Sequence, residues 1–345
     1  MSSRRFYIDR GVGESRGAIT LGGRPERLIL VREGLPAVQA LGARVAARVR
    51  SVDRTLAIAF LDLGEGPDAV LNLAAGVGPI VEGGWVEVEI KSEARGGKGG
   101  SARWLGPTSG PARLLAAGPS LEDRIGALAK GAPIVEGPPA RSAADLAQEE
   151  ALQTVFPLRG GGSIAVETTR ALVAVDVDVG AAKGDGAKRA VWEANLAALS
   201  EAARVLRLKG LGGLVVIDLA GRGQDGPPLL AAARAAFAPD NPGVALGPVS
   251  RFGTLELTIP RRSRATLEIL TDGSDGASTV TLALALLRAL EREAAADGGA
   301  RLEAIAAPAI AAAARPFLSR LADRFGARLD IRAEDGCDSY EVMRR

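Results

Sequence analysis

Asp176, Asp178 and Asp218 are the residues whose type and spacing most clearly permit chemistry. In VAVDVDVG, Asp176 and Asp178 stand two apart on a strand, so their side chains project to the same side. A second continuous apolar run, LVVIDLA, ends in Asp218. Between them AKRAVWEANLAALSEAARVLRLKG has helical spacing and stops at Gly210. Strand, helix and strand in that order predict a right-handed crossover with adjacent parallel strands. Both strands are almost wholly apolar, which predicts burial on both faces. Asp218 then lies level with the DxD pair at the carboxyl ends of the strands, where open α/β sheets hold their sites. Three carboxylates gathered there repel one another unless a cation sits among them, and hard oxygen ligands suit Mg²⁺ or Mn²⁺. One aspartate at a strand end ordinarily caps a loop. DxD with a third acid on the neighbouring strand points to a metal, although it names no substrate.

The substrate is suggested by basic residues. Arg204, Arg207 and Lys209 lie on the crossover helix and are expected beside the acids. Arg251, then Arg261, Arg262 and Arg264, flank the strand after SRFG. Arg95 and Lys98 occupy a glycine-rich basic stretch beside a run of short strands that carries Phe60. Guanidinium and ammonium groups for phosphates, with an aromatic ring for a base, make a single-strand-binding combination. Each of these alone is more often a solvated surface charge, and only their clustering points to a ligand.

Composition excludes several other chemistries. The chain has no histidine, which removes Ser-His-Asp and Cys-His nucleophiles and His-based zinc motifs. Its one cysteine, Cys337, allows neither an internal disulfide nor a thiolate zinc site, and a reducing cytoplasm is expected. Hydrolysis must therefore use carboxylates, Lys or Arg, or an oxygen-ligated metal. The net charge of +2 makes no case for nucleic acid by itself. There is no long apolar run for a membrane span, and MSSRRFYIDRG lacks a signal-peptide core.

The elements that must position these residues follow in order. Residues 5–34 read as short strands. ARVAARVRSV, LAIAFLDLG, DAVLNL and WVEVEIKSE have the cadence of a small antiparallel barrel, of which the five-stranded OB type is one. Residues 94–113 read as a glycine-rich exit from it, and 114–153 as a connector of two weak helices with little core of its own. After the crossover come a helix (PPLLAAARAAFA), strands GVALGPVS and GTLELTIP, a helix TVTLALALLRALEREAAA, a second helix over Ile310–Phe325, and strands RLDIRA and SYEVMR.

These motifs resemble the ribonuclease E/G family. GGGSIAVETTRALVAVDVDVG is similar to its strand pair ending in an Asp-x-Asn metal motif, EANLAALSEAARVLRLKGLGGLVVIDL to its helix and second ligand strand, and SRFGTLEL to its next signature. ARVRSVDRTLAIAFLDLG resembles its S1 domain, EARGGKG its basic loop, and residues 302–332 its small C-terminal domain. The resemblance implies a multidomain α+β and α/β chain. Strands 1–34 would pack on the catalytic region, an S1 (OB-fold) barrel would occupy 35–105, and a shortened connector 106–150. A DNase I-like catalytic domain would fill 151–265 and a small α/β domain 266–345. It further implies that Asp176 and Asp218 ligate magnesium, that Asp178 stands where an Asn helps hold the attacking water, and that Phe60 and Lys98 contact RNA. The implied reaction is endonucleolytic hydrolysis of single-stranded RNA to 5′-phosphate and 3′-hydroxyl ends.

Three departures qualify it. ILTDGSDGAS (269–278) lacks the family's CxxC, so no zinc is expected, and any homodimer would not be zinc-linked. The connector lacks the 5′-sensor's Arg-Thr signature, which predicts no preference for a 5′-monophosphate. Asp178 replaces Asn, and GRGQDGPP (221–228) replaces basic residues after the second ligand strand. An RNA-binding protein that has lost rapid hydrolysis therefore stays open beside the active nuclease, and a small-molecule phosphohydrolase would leave the barrel without a role.

Overall fold

The computed structural model describes residues 3–73, 77–180, 187–221, 226–240, 243–271 and 276–345. The chain opens with an antiparallel meander of β1 (Arg4–Arg10), β2 (Glu14–Leu21) and β3 (Arg24–Arg32). It then enters a barrel made of β4 (Arg44–Asp53), β5 (Ile58–Asp62), β6 (Ala69–Asn72), β7 (Trp85–Ser92) and β8 (Ser101–Pro107), with β9 (Arg113–Ala116) laid outside on β4. Strand β4 pairs with both β5 and β7, and β8 bridges β6 and β7, so the five strands close on themselves. Alternate residues point inward, Val45, Ala47 and Val49 meeting Leu61, Leu71 and Val88 in a buried core. The closing strand β8 falls within the stretch expected to be a glycine-rich exit. Its alternation is masked by the Gly and Ser residues that precede it.

Residues 118–152 contain the two expected helices, but these pack into a core instead of forming a bare connector. The segment forms α1 (Leu121–Ala129), β10 (Ile134–Val135) and α2 (Pro138–Leu152), and β10 pairs in parallel with β1. Ser120 and Asp123 make a reciprocal capping box that starts α1. On α2, Ala140, Ala144, Ala147 and Ala151 are all buried, a small-residue stripe that seats the helix on Ala18, Leu28 and Leu30. The partners of these helices lie more than a hundred residues upstream in sequence. A local reading therefore cannot see that they complete the first sheet.

The third unit contains β11 (Val155–Pro157), β12 (Ser163–Thr168), β13 (Val173–Asp178), α3 (Ala187–Lys209), β14 (Gly213–Asp218), α4 (Gly226–Phe237), β15 (Ala245–Val249) and β16 (Thr254–Ile259). Its strand order is β11-β12-β13-β14-β16-β15, and β13–β14 is its one parallel pair. Helices α3 and α4 cover one face, packing Leu199, Ala202, Leu206, Leu229 and Phe237 on Val173, Val175, Val177, Val215, Ile217, Leu255 and Leu257. The other face is open. Burial on both faces is thus corrected to burial on one, since in VAVDVD the valines face the helices while Ala174, Asp176 and Asp178 face outward.

The chain ends with α5 (Thr266–Thr271), α6 (Thr279–Ala296), β17 (Leu302–Ala306), α7 (Pro308–Ala314), α8 (Leu318–Phe325), β18 (Leu329–Ala333) and β19 (Tyr340–Arg344). The helix expected over Ile310–Phe325 is divided by a tight turn at Arg315–Phe317, where Pro316 has no amide to donate. β17, between β18 and β19, supplies a strand that was not anticipated. Buried ion pairs, Arg288 to Glu14 at 2.6 Å and Arg141 to Glu291 at 3.2 Å, tie α6 to the first sheet and α2. Among the described residues no helix is long and apolar enough to cross a membrane.

Candidate active site

Asp176 and Asp218 are direct partners in the parallel pairing of β13 with β14. Neighbouring strands run about 4.8 Å apart, so these two carboxylates start from adjoining positions in one row. The row continues to Ala165 on β12 and Thr254 on β16, all on the open face. Both acids are exposed, and neither has a hydrogen bond or ion pair to the described residues. Two like charges about 4 Å apart repel by roughly 1 kcal/mol in water and by several kcal/mol where screening is weaker. A cation between them removes that cost.

Asp178 behaves differently. It stands one row further along, opposite Ser163, and its Oδ1 accepts a hydrogen bond from Gly180 N at 2.8 Å. This holds the turn that leaves β13 and keeps Oδ2 uncommitted. Among the described residues no group of three acidic, cysteine or histidine side chains could hold a metal ion. In this arrangement Asp176 and Asp218 form a facing pair and Asp178 stands one row to the side, so the three do not close into one cluster. A pair suits Mg²⁺, which keeps several waters and commonly takes only one or two protein carboxylates.

Several residues that sequence reading passed over hold this pair in place. Asn195 of α3 is fully buried, donates from Nδ2 to Ala220 O at 3.0 Å and accepts at Oδ1 from Ala220 N at 2.9 Å. That clamp fixes the backbone two residues beyond Asp218. Gly162 passes so close to β13 that a Cβ would lie 2.2 Å from Asp178 O. Between β15 and β16, Ser250 accepts at its Oγ from Phe252 N at 3.2 Å and shares a 2.8 Å hydroxyl contact with Thr254. Gly253, at φ 91°, turns the chain so that its carbonyl accepts from Leu219 N at 3.1 Å. The one signal for Asn195 was an amide among the alanines and leucines of a helix face.

The basic residues divide between two ends of the sheet. Arg251 lies on the Ser250–Gly253 turn, at the acid end. Arg204, Arg207 and Lys209 do not, which corrects their expected position beside the acids. Helix α3 runs back along the sheet, and Arg207 is twelve residues, about 18 Å, past Asn195. Their charges are also committed inside the protein. Arg204 pairs with Glu150 at 2.5 Å and Glu201 at 2.6 Å and donates to Pro25 O. Arg207 pairs with Asp240 at 2.6 Å. Lys209 donates to Gln153 O and lies over the Phe156 ring, and burial pushes its ammonium down to about 8.

Arg261 and Arg262 follow β16 at the amino end of β14, and Arg261 donates to Gly212 O. Five residues separate Thr254 from Ile259, so this end is roughly 17 Å from Asp218. The loop bearing Arg95 and Lys98 docks there, with Glu93 N donating to Arg262 O at 2.8 Å and Gly96 N to Glu268 Oε1 at 2.9 Å. Burial and the charge of Arg261 both push the Arg95 guanidinium down. Phe60 is half-buried on β5, with its neighbours Ala59 and Leu61 pointing into the barrel. These residues form a second basic region away from the acid pair. Residues 272–275 of the CxxC-lacking stretch and 222–225 of GRGQDGPP fall outside the described residues.

Residues 118–263 match the family model of the Ribonuclease E/G family. Ribonuclease E of Escherichia coli is 33% identical over 171 residues, 46% of this chain and 16% of that protein. Ribonuclease E of Haemophilus influenzae is 35% identical over 160 residues, 42% of this chain and 17% of its own. A chloroplastic Ribonuclease E/G-like protein of Arabidopsis thaliana is 34% identical over 118 residues, 33% of this chain and 12% of its own. The aligned part of the chain spans about one sixth or less of these relatives. Asp176, Asp178, Asp218, Asn195 and the Ser250–Gly253 turn all fall within the segment that matches the ribonuclease E/G family model.

Proposed function

We propose that the protein is a metal-dependent endoribonuclease that hydrolyses single-stranded RNA to 5′-phosphate and 3′-hydroxyl products. The observation that carries this reading is the Asp176–Asp218 pair, facing one another on adjacent parallel strands inside the segment that matches the family. Two exposed, unpartnered carboxylates fit Mg²⁺, with Mn²⁺ as an alternative. Asp176 and Asp218 would hold the ion, which when bound supplies Lewis-acid stabilisation of a phosphate and a more acidic water. Asp178 holds the turn beside them, and Asn195 fixes the backbone that carries Asp218.

RNA would reach the pair by way of its single-stranded form. We take the five-stranded barrel as an S1 (OB-type) module, with Phe60 for a base and Lys98 and Arg95 for phosphates. Arg261 and Arg262 extend the basic region near Arg95, so a bound strand would run from that end of the sheet toward the acids. The first sheet with α1 and α2 presents no Arg-Thr sensor signature, and cleavage is accordingly independent of a 5′-monophosphate.

The test is incubation with a fluorescent AU-rich single-stranded oligonucleotide in Mg²⁺ or Mn²⁺, followed by end-group analysis. Internal cleavage to 5′-phosphate ends, at equal rates on 5′-monophosphate and 5′-hydroxyl substrates, supports the reading. Tight binding without cleavage in either metal establishes the other reading, an RNA-binding protein on this scaffold. What favours that second reading is the commitment of Asp178 Oδ1 to Gly180 N, which leaves two free acids rather than three.

A further inference from the structure

We propose that Phe252, backed by Arg251, is a stacking platform for an unpaired base next to the scissile phosphate, an inference that rests on the nuclease reading above. Phe252 is 75% exposed, the most exposed of the large hydrophobic side chains among the described residues. A ring left in water contributes nothing to the core and keeps its face free for a ligand. It does not hang on a loose loop. Ser250 N donates to Thr254 O at 2.8 Å, Gly253 N to Ser250 O at 3.0 Å, and Phe252 N to Ser250 Oγ at 3.2 Å. The turn is also bound to the acid-bearing strand, because Leu219 N donates to Gly253 O at 3.1 Å.

Position and chemistry agree. Thr254, two residues after Phe252, is the direct partner of Asp218 in the sheet. The ring is therefore carried at the edge of the row that holds the acid pair. The Arg251 guanidinium lies 4.7 Å from the ring centroid, over one face. That contact orients the ring and places a cation beside it, while the other face stays open for a nucleobase. A base in a duplex already has both faces stacked, so a platform here selects single strands. Arg251, the basic residue of the candidate set that lies at this end of the sheet, is placed to meet the neighbouring phosphate.

The experiment compares the full-length protein with Phe252→Ala and Phe252→Trp, using an oligonucleotide with 2-aminopurine at successive positions. Stacking on an aromatic side chain is worth roughly 5- to 100-fold in affinity, so kcat/KM for Phe252→Ala falls by about that factor, chiefly through KM. Its melting temperature stays unchanged because the ring packs against no core. Quenching of 2-aminopurine at one position is lost in Phe252→Ala and restored in Phe252→Trp. If the wild-type protein cleaves but Phe252→Ala matches it in kcat/KM and quenching, the platform is overturned and the nuclease reading stands. If the wild-type protein neither cleaves nor binds the oligonucleotide, both fall together.

Discussion

Asn195 of α3 and Ala220, just past the end of β14, are joined by two hydrogen bonds, one in each direction between carboxamide and peptide. The clamp connects a buried helix face to the strand end that carries Asp218. Replacing Asn195 with Leu leaves a peptide N–H and C=O unpaired in a closed site, which costs roughly 1–3 kcal/mol of stability. Cleavage should slow through kcat, with KM little changed, because the acid is displaced and the residues proposed to contact RNA are not. Urea unfolding and steady-state kinetics on the same sample check both parts.

Arg204 is committed to ion pairs inside the protein, which predicts a role in stability. Its guanidinium is nearly inaccessible between Glu150 and Glu201. Arg204→Ala removes one partner from each carboxylate while Arg24 still pairs with Glu201 at 2.6 Å, and should destabilise the protein by about 1–3 kcal/mol. Affinity for a single-stranded oligonucleotide, measured at a temperature where the variant is folded, should not change. A selective loss of affinity would return Arg204 to the binding surface.

Lys209 predicts a particular dependence on pH. Burial lowers its folded-state value to about 8, while the unfolded chain keeps the ordinary 10.5. Between those values the unfolded state binds the extra proton, so this residue's contribution makes stability rise with pH across that window. The penalty is fully present below about 8 and gone above 10.5. Lys209→Met removes it, so the variant gains most over wild type at pH 7 and progressively less toward pH 10. Denaturant melts at several pH values read this directly, and a gain that does not shrink with pH would contradict the assignment.

Asp178→Asn tests the division of labour among the acids. An amide oxygen can accept from Gly180 N as the carboxylate does, so the turn survives. On the proposal that the other two acids hold the ion, cleavage should change by no more than about tenfold, equivalent to about 1.4 kcal/mol. A complete loss would make Asp178 a full ligand.

Much of the site's scaffold was legible because it is local. The valine alternation, the helix spacing to Gly210 and the second apolar strand placed Asp176 beside Asp218, and the register agrees. What escaped was whatever depends on partners distant in the chain. Helix α2 shows only alanines on its buried face, and its sheet lies near the amino terminus. The arginines of α3 are correctly on that helix, yet a helix of 23 residues carries its last turns to the opposite end of the sheet. Their carboxylate partners, Glu150 and Asp240, come from other elements and leave no periodic trace. Phe252 escaped because one aromatic in a turn has no spacing to read.

The most direct test of the central claim is single-turnover cleavage of a fluorescent AU-rich single-stranded RNA in Mg²⁺ by wild-type protein, Asp176→Asn and Asp218→Asn. Each substitution should lower the rate on the order of 100-fold or more, while RNA affinity and melting temperature hold. Cleavage by both variants at the wild-type rate would contradict that claim.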